Sequence, residues 1–215
     1  MRHSLSQMYS IWVDLEAPKK LPYIQAWERE LGVKFSETQK TKIFNFVHKA
    51  SLATRYQEGG YKILTRWYKT PVVLKRIFPE TSDRCWRCGE EEGTMLHVFW
   101  TCPKLKDFWK MVRDTIKDVL DIELGVNPAT YLLLDLPMAM TKFKKSLLRH
   151  FLTAARACVP ILWKSTSSPT RQQWIGRISE IQQMEKLTAG IREQEDSYRS
   201  VWSPYISYRE GALRG

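Results

Sequence analysis

The sequence predicts a mainly α-helical fold with little or no β-sheet, stapled by one small metal-binding knuckle. Apolar residues recur every three or four positions along most of the 215-residue chain, which is the spacing of one helix face. No stretch alternates apolar and polar residues for long enough to predict a half-buried strand. Three of the four cysteines lie within eighteen positions, beside a histidine. With 43% apolar residues, a chain of this length can bury one core or two small ones.

The first strongly predicted helix begins at a capping signal. Ser36, with Gln39 three residues later, forms a capping box, in which each residue satisfies a backbone group of the other. The apolar positions that follow have helical spacing: Ile43, Phe46, Val47 and Ala50. We expect Gly59-Gly60 to break this helix, and a second helix over 61–68 to end at Pro71.

Three apolar stripes predict the later helices. The first stripe follows Pro103, which suits a first helical position. Its members are Leu105, Phe108, Trp109, Val112, Ile116, Val119 and Leu120. The second and third stripes run over 143–155 and 174–191. Between the first two lies a short apolar piece, 131–134, which could be a strand or an extended turn.

Positive charge is concentrated in two segments. Residues 40–78 carry nine basic residues and one acidic residue, and residues 142–177 carry eight basic residues and no acidic one. We call these the first and second basic blocks; the stretch between them, 85–125, is slightly acidic. The whole chain has 34 Lys and Arg against 23 Asp and Glu, a net charge of +11. This balance favours polyanionic partners, with nucleic acid ahead of an anionic membrane surface.

The composition also limits the class of protein. Residues 1–20 contain charges and no continuous apolar stretch, so we expect neither a secretory leader nor a spanning helix there. The longest apolar runs, such as 157–163, are too short to span a bilayer, so we expect a soluble protein. The predicted organisation is an N-terminal connecting segment (1–34), basic helices with the knuckle (35–125) and a C-terminal helical region (126–215).

Four residues have the spacing of a metal site, C-x2-C-x8-H-x4-C: Cys85, Cys88, His97 and Cys102. A C-x2-C pair supplies two thiolates from one tight turn, and Gly89 directly after the pair supports that turn. Four protein ligands leave no open position for a reacting water. The spacing therefore predicts one structural Zn²⁺.

The alternative is that these cysteines pack as small hydrophobic side chains beside an ordinary histidine. That alternative explains one or two of the residues easily, but it explains all four at this spacing poorly. Cys158 lies alone in an apolar stretch and is predicted to be a core thiol. We assign no role to His3, His48 or His150.

These residues resemble a known family, the C-terminal segment of the reverse-transcriptase polyprotein of long interspersed (non-LTR) retrotransposons of vertebrate type. The specific part of the resemblance is the cysteine-histidine spacing, with Cys85-Trp86-Arg87 ahead of Gly93-Thr94 and the ending Trp100-Thr101-Cys102. Weaker similarities extend along nearly the whole chain, at Trp27, Ser51-Leu52-Ala53, Arg66, Tyr68, Trp109-Lys110, Pro128-Ala129, Trp163, Trp174 and Met184-Glu185.

The resemblance implies an accessory role rather than polymerisation. A polymerase of this family needs paired aspartates for its two metal ions, and the chain contains no Asp-Asp pair. We therefore expect a fragment or a truncated element copy that follows the polymerase and endonuclease domains and is not itself an enzyme. The resemblance implies a domain that binds RNA with little sequence preference and helps to hold the template during target-primed reverse transcription.

The first basic block interleaves cations with aromatic residues, as in surfaces that track phosphates and stack bases. The residues predicted to contact nucleic acid are Lys62, Arg66, Lys69, Lys75, Arg76, Arg87 and Trp86. We expect Arg87 to project from the zinc turn, Trp86 to be either a stacking platform or part of the core, and Phe99 and Trp100 to be core. The plainer interpretation of the block is a solvated helix face in front of an aromatic core.

Two functional hypotheses follow. The preferred one is a nucleic-acid-binding module whose partners are RNA and, as an open alternative, DNA, together with the polymerase portion of the same polyprotein, with no membrane partner. The second is a zinc-stapled helical scaffold that contacts the polymerase domain or host proteins without binding nucleic acid. In either case we expect an intracellular protein, in a cytoplasmic ribonucleoprotein and in the nucleus.

Overall fold

The computed structural model describes residues 5–8, 21–137 and 139–212. The α-helices are α1 (Pro22–Leu31), α2 (Glu37–His48), α3 (Thr54–Leu64), α4 (Pro71–Ile77), α5 (Lys106–Leu120), α6 (Pro128–Leu133), α7 (Lys142–Ile161), α8 (Arg171–Ile191) and α9 (Glu195–Ala212). A π-helix (His97–Thr101) and a 3₁₀ turn (Pro103–Leu105) precede α5. Within the described ranges the β-structure is one isolated bridge between Arg84 and Glu92. The predicted fold class is confirmed.

The chain divides into two compact units, with the boundary in the sequence between Lys34 and Phe35. In the first unit α1 begins with Pro22, buries Ile24 and Trp27, and ends at Gly32 in the left-handed conformation. Most of residues 1–20, for which the sequence predicts no leader, and His3 with them, lie outside the described residues. The three-part division of the chain, with a boundary near residue 125, stays a prediction.

The start of α2 confirms the capping box, but the predicted break after it is wrong. The Ser36 hydroxyl accepts the Gln39 backbone N–H, and the Gln39 side chain accepts the Ser36 N–H in return. Instead of breaking a helix, Gly59 and Gly60 lie inside α3. Gly60 is needed there because a Cβ at this position would lie 2.6 Å from Nη2 of Arg156. Tertiary packing therefore explains the glycine better than a turn does.

Two other local expectations are corrected. Pro71 opens α4 at its first turn instead of only ending a helix. The apolar piece 131–134 is neither a strand nor an extended turn, since most of it belongs to α6. The Asn127 side chain caps that helix by accepting the Ala129 N–H at 2.9 Å, and Pro128 occupies its first turn. A cap followed by proline was the overlooked helix signal.

The core of the second unit is built around α7, which packs against α3, α5, α6, α8 and α9. This helix continues through Pro160 to Ile161 and buries a nearly continuous run of side chains over 147–156. Trp174 on α8 lies fully buried and donates its indole N–H to the carbonyl of Phe151 at 3.0 Å. Among the described residues, no helix is both long and apolar enough to cross a bilayer.

Candidate metal centre

The first two ligand residues lie on one tight turn. The Cys85 N–H donates to the carbonyl of Glu91 at 2.8 Å, and the Gly89 N–H donates back to the carbonyl of Cys85 at 2.8 Å. Gly89 has a φ of 76°, a left-handed conformation that other L-residues rarely adopt. The role predicted for Gly89 in the turn is therefore confirmed.

The other two ligand residues are placed by the π-helix. The Cys102 N–H donates to the carbonyl of His97 at 3.0 Å, five residues earlier. In an α-helix, residues five apart would point about 140° away from each other. The wider π-turn returns them to the same side, so the His97 ring and the Cys102 thiol face the same point. π-helical turns are rare and often mark functional sites.

The four ligand atoms fit one zinc ion. They all lie within 4.8 Å of one another. The sulfurs of Cys85 and Cys102 are 4.0 Å apart, and the Cys88 sulfur is 3.4 Å from Nε2 of His97. A tetrahedral zinc with ordinary bond lengths separates two sulfurs by about 3.8 Å, and a sulfur from a nitrogen by about 3.6 Å. The four side chains can therefore hold a zinc with little adjustment.

The remaining nitrogen of His97 is also engaged. Its Nδ1 lies 3.2 Å from a carboxylate oxygen of Glu91 and 3.3 Å from the hydroxyl of Thr101. Such partners fix the tautomer and the orientation of a metal-binding histidine, which leaves Nε2 for the metal. Thr101 belongs to the same π-helix, so one short element provides a ligand and its support.

Burial and backbone donors set the protonation of the ligands. Burial lowers the pKa of His97 against the opposing effect of Glu91, which favours the neutral, metal-binding ring. Burial acts to raise the pKa of Cys88, but the backbone N–H groups of Glu91 and Glu90 outweigh it and lower that pKa. Burial raises the pKa of Cys102 to about 11, so this thiol needs the charge of a metal ion to ionise at neutral pH.

Comparison with protein families agrees with this geometry. Residues 25–109 match the model of a family described as zinc-binding in reverse transcriptase. The match includes all four ligand residues and ends at Trp109, near the start of α5. It supports a zinc-binding segment of the kind associated with reverse transcriptases, which is an accessory domain rather than a catalytic one.

Arg87 does not project from the zinc turn as predicted. Its side chain is only 4% exposed, and its guanidinium donates to the carbonyl of Val98 at 3.0 Å and to that of Ser167 at 3.1 Å. These bonds tie the knuckle to the π-helix and to the segment before α8. A side chain held in this way has no free face for a phosphate, so Arg87 is a structural link.

Trp86 lies half-buried against another aromatic side chain. Its ring centroid is 5.6 Å from that of Trp163, and the Lys164 ammonium lies 5.9 Å from the Trp86 ring. This environment combines features of both expected roles, since Trp86 packs against an aromatic ring and also has a cation near it. A stacking role for Trp86 stays a prediction.

The predicted cations of the first basic block are only partly available. Lys62 pairs with Glu58 at 2.6 Å and lies over the Trp67 ring at 4.7 Å, and Lys75 pairs with Asp83 at 3.3 Å. Arg66 is half-buried, in a left-handed conformation. Lys69 and Arg76 are exposed, and neither forms an ion pair within the described parts of the chain. Their contacts with nucleic acid stay predictions.

A further set of cations lies on α5, within the stretch 85–125 whose overall charge is slightly acidic. On α5 the basic residues have a spacing of four, three and four, which places them on one helix stripe: Lys106, Lys110, Arg113 and Lys117. The acidic residues Asp107, Asp114 and Asp118 follow a neighbouring stripe. Counting charge over 85–125 averages the two stripes, whereas reading charge at the helical period would have separated them.

Most of the other residues that the sequence analysis singled out are buried in the core. Cys158 is buried and donates to the carbonyl of Ala154 at 3.3 Å, as expected of a core thiol. Phe99 is fully buried, as predicted, but Trp100 is only partly covered and lines a surface groove. His150, which had no assigned role, is buried and stacks on Trp202 at 5.3 Å.

Proposed function

We propose that this chain is a non-enzymatic, zinc-stabilised nucleic-acid-binding module of a non-LTR retrotransposon reverse transcriptase of the vertebrate long interspersed type, which helps to hold the RNA template. The family match over 25–109 supports the association with reverse transcriptases. The closed set of four protein ligands supports a structural zinc, because no position remains for a reacting water.

The observation that carries nucleic-acid binding is the exposure of two aromatic residues among cations. Trp67 is 60% exposed and has Lys62 over its ring, with Lys69 exposed two residues later. Phe78 is 50% exposed and follows Arg76 by two residues. Exposed rings beside cations can stack bases while the charges hold phosphates. Such a surface grips many sequences about equally, as a moving template requires.

One observation favours the alternative scaffold function. Ile77, beside Phe78, is 53% exposed, and two exposed apolar side chains at the end of α4 would suit a protein partner. In that case the polymerase portion of the polyprotein or a host protein would cover them. Under the preferred proposal the partners are RNA or DNA and the polymerase portion, with no membrane partner. The place of action is a cytoplasmic ribonucleoprotein and the nucleus.

A salt titration of single-stranded RNA binding tests the proposal. The variant is Lys69→Gln with Arg76→Gln, and the matched control is Lys186→Gln with Arg199→Gln, two exposed cations outside both basic blocks. Each lost phosphate contact should reduce the slope of log affinity against log salt by roughly 0.7, so the first variant should lose roughly 1.4. Weakening should be similar for all RNA sequences.

The controls separate the two functions. Both variants should melt like the wild type, because exposed charges contribute little to stability. RNA binding that is absent, or insensitive to salt, in a folded wild-type protein contradicts the proposal and favours the scaffold. Equal affinity of the first variant and the wild type would remove Lys69 and Arg76 from the binding surface.

A further inference from the structure

A groove of about 460 Å³ lies beside the metal centre, against the start of α5. Small and aliphatic side chains line part of it. The rest of the lining is three aromatic and three basic residues: Trp100, Trp109, Tyr131, Lys106, Lys110 and Arg113. Among the described residues that line the groove, none is acidic. The groove therefore combines an apolar interior with a rim of one charge sign.

The three aromatic residues differ in how far they reach the surface of the groove: Trp109 and Tyr131 are buried, and Trp100 is partly exposed. Trp109 is 5% exposed and Tyr131 is 1% exposed, so only a small part of each ring is accessible from the groove. The Trp109 indole N–H donates to the carbonyl of Phe99 at 3.0 Å, which fixes its orientation. The partly exposed Trp100 ring lies 5.2 Å from the Trp109 ring and 4.8 Å from the Tyr131 ring.

The position of Trp100 depends on the π-helix. Trp100 lies between His97 and Cys102, in the same wide turn that aims both of these side chains at one point. Phe99 is fully buried and Trp100 is not, so the turn divides two adjacent aromatic residues between the core and the groove. A rigid, partly exposed indole is a suitable surface for stacking.

The cations of the groove lie along one stripe of α5. Lys106 and Lys110 are exposed on successive turns of α5, and Arg113 continues the stripe one turn further. Arg113 forms an ion pair with Asp114, with 3.3 Å between Nη2 and Oδ1, whereas the two lysines form no ion pair within the described chain. The rim thus attracts a polyanion that passes along α5.

We propose that this groove binds one unstacked base of a single-stranded nucleic acid, with Trp100 as the stacking ring and Lys106 and Lys110 on the flanking phosphates. The inference rests on the proposed nucleic-acid-binding function and names a site for it. The partly exposed Trp100 ring suits a base, and a purely cationic rim suits a phosphate backbone. An apolar protein segment would fill the interior but would leave the rim without charge partners.

The test uses the full chain with zinc and a short RNA that carries a fluorescent base. Trp100→Ala should weaken binding roughly 5- to 150-fold, the range for losing one base-aromatic stack, and should reduce quenching of the fluorescent base. Trp100→Phe should retain most of both. Lys106→Gln with Lys110→Gln should reduce the salt slope by roughly 1.4, whereas the Lys186 and Arg199 control should leave it unchanged.

The outcomes distinguish this site from the broader proposal. If Trp100→Ala binds RNA like the wild type while Lys69→Gln with Arg76→Gln binds more weakly, the groove is not the base site but the proposed function stands. If wild-type protein binds no RNA, both fail. If Trp100→Ala no longer binds the polymerase portion but binds RNA like the wild type, the groove is a site for a protein partner and the inference is overturned.

A second measurement covers the case in which Trp100→Ala loses zinc or unfolds. Wild-type protein is crosslinked by light to RNA that contains a photoreactive base, and the attached peptides are mapped. Crosslinks within residues 100–113 or at Tyr131 support the site. Crosslinks confined to the first basic block overturn it.

Discussion

The candidate metal centre and the contact between α3 and α7 are built in different ways. At the metal centre all four ligands come from eighteen consecutive positions, and hydrogen bonds between near neighbours shape the turn. At the second contact, Gly60 of α3 makes room for Arg156 of α7, whose guanidinium donates to the carbonyl of Leu132 at 2.8 Å. The first region is built by near neighbours in the sequence, and the second by packing between distant segments.

Removing the metal should have the largest effect. We expect purified protein to carry about one equivalent of zinc, and a strong chelator to remove much of its helical signal, because zinc binding in small sites is largely folding free energy. Cys88→Ser should act in the same direction, since it removes a ligand. Elemental analysis and circular dichroism provide the measurements. A well-folded sample without metal would refute the zinc assignment.

The second region should respond to a single methyl group. Gly60→Ala should destabilise the protein by about 1–3 kcal/mol, because the new Cβ, 2.6 Å from the buried Arg156 guanidinium, would push on a group whose Nη1 donates to the Leu132 carbonyl. Gly59→Ala meets nothing within 4 Å, so it should stabilise α3 by about 0.5–1 kcal/mol. Denaturant melts measure both, and zinc content should stay unchanged.

The test is whether Gly60→Ala and Gly59→Ala change the free energy of unfolding in opposite directions. If Gly60→Ala stabilised the protein as much as Gly59→Ala, the close approach of Arg156 would not constrain α3. Loss of zinc in Gly60→Ala would instead show that the two regions are coupled.

Acid should also lower the free energy of unfolding, because His150 on α7 is buried. Burial, with the nearby Arg149 charge, lowers the pKa of His150 from 6.5 to about 3, although the Ala50 carbonyl that accepts its Nδ1–H opposes the shift. As the pH falls below 6.5, His150 is protonated in the unfolded chain but stays neutral in the folded chain. Stability should therefore fall by about 1.6 kcal/mol between pH 6.5 and 5, and the slope should approach about 1.4 kcal/mol per pH unit at the acid end of this interval.

His150→Asn provides the control, because its amide can still donate to the Ala50 carbonyl but does not titrate. The variant should show a flatter dependence of unfolding free energy on pH over the same interval, measured by denaturant melts. Equal slopes for the variant and the wild type would mean that His150 does not govern this interval.

Several features that the sequence predicted correctly are made by near neighbours. The capping box at Ser36 and the turn at Gly89 need only the next few residues, so their residue types and spacing were sufficient. The cluster of Cys85, Cys88, His97 and Cys102 was also readable, because the geometry of a zinc site restricts which residues can serve it and how they are spaced.

Other features could not be predicted, because their cause lies far along the chain. Gly60 continues a helix because Arg156 fills the space beside it, and Arg87 turns inward because the carbonyls of Val98 and Ser167 accept its protons. Nothing within several residues of either position indicates these partners. Local pattern therefore favoured a helix break at Gly60 and an exposed cation at Arg87, and both expectations were wrong.

The sequence by itself determined that this protein is helical, carries a Cys₃His set fit for zinc and has an excess of positive charge, because periodicity, ligand spacing and composition are properties of the chain alone. Only the tertiary structure decided which charges and rings face outward. The π-helix exposes Trp100 but buries Phe99, and α5 turns Lys106 and Lys110 toward the groove. Exposure depends on what packs on each side chain, and that is settled when distant segments meet.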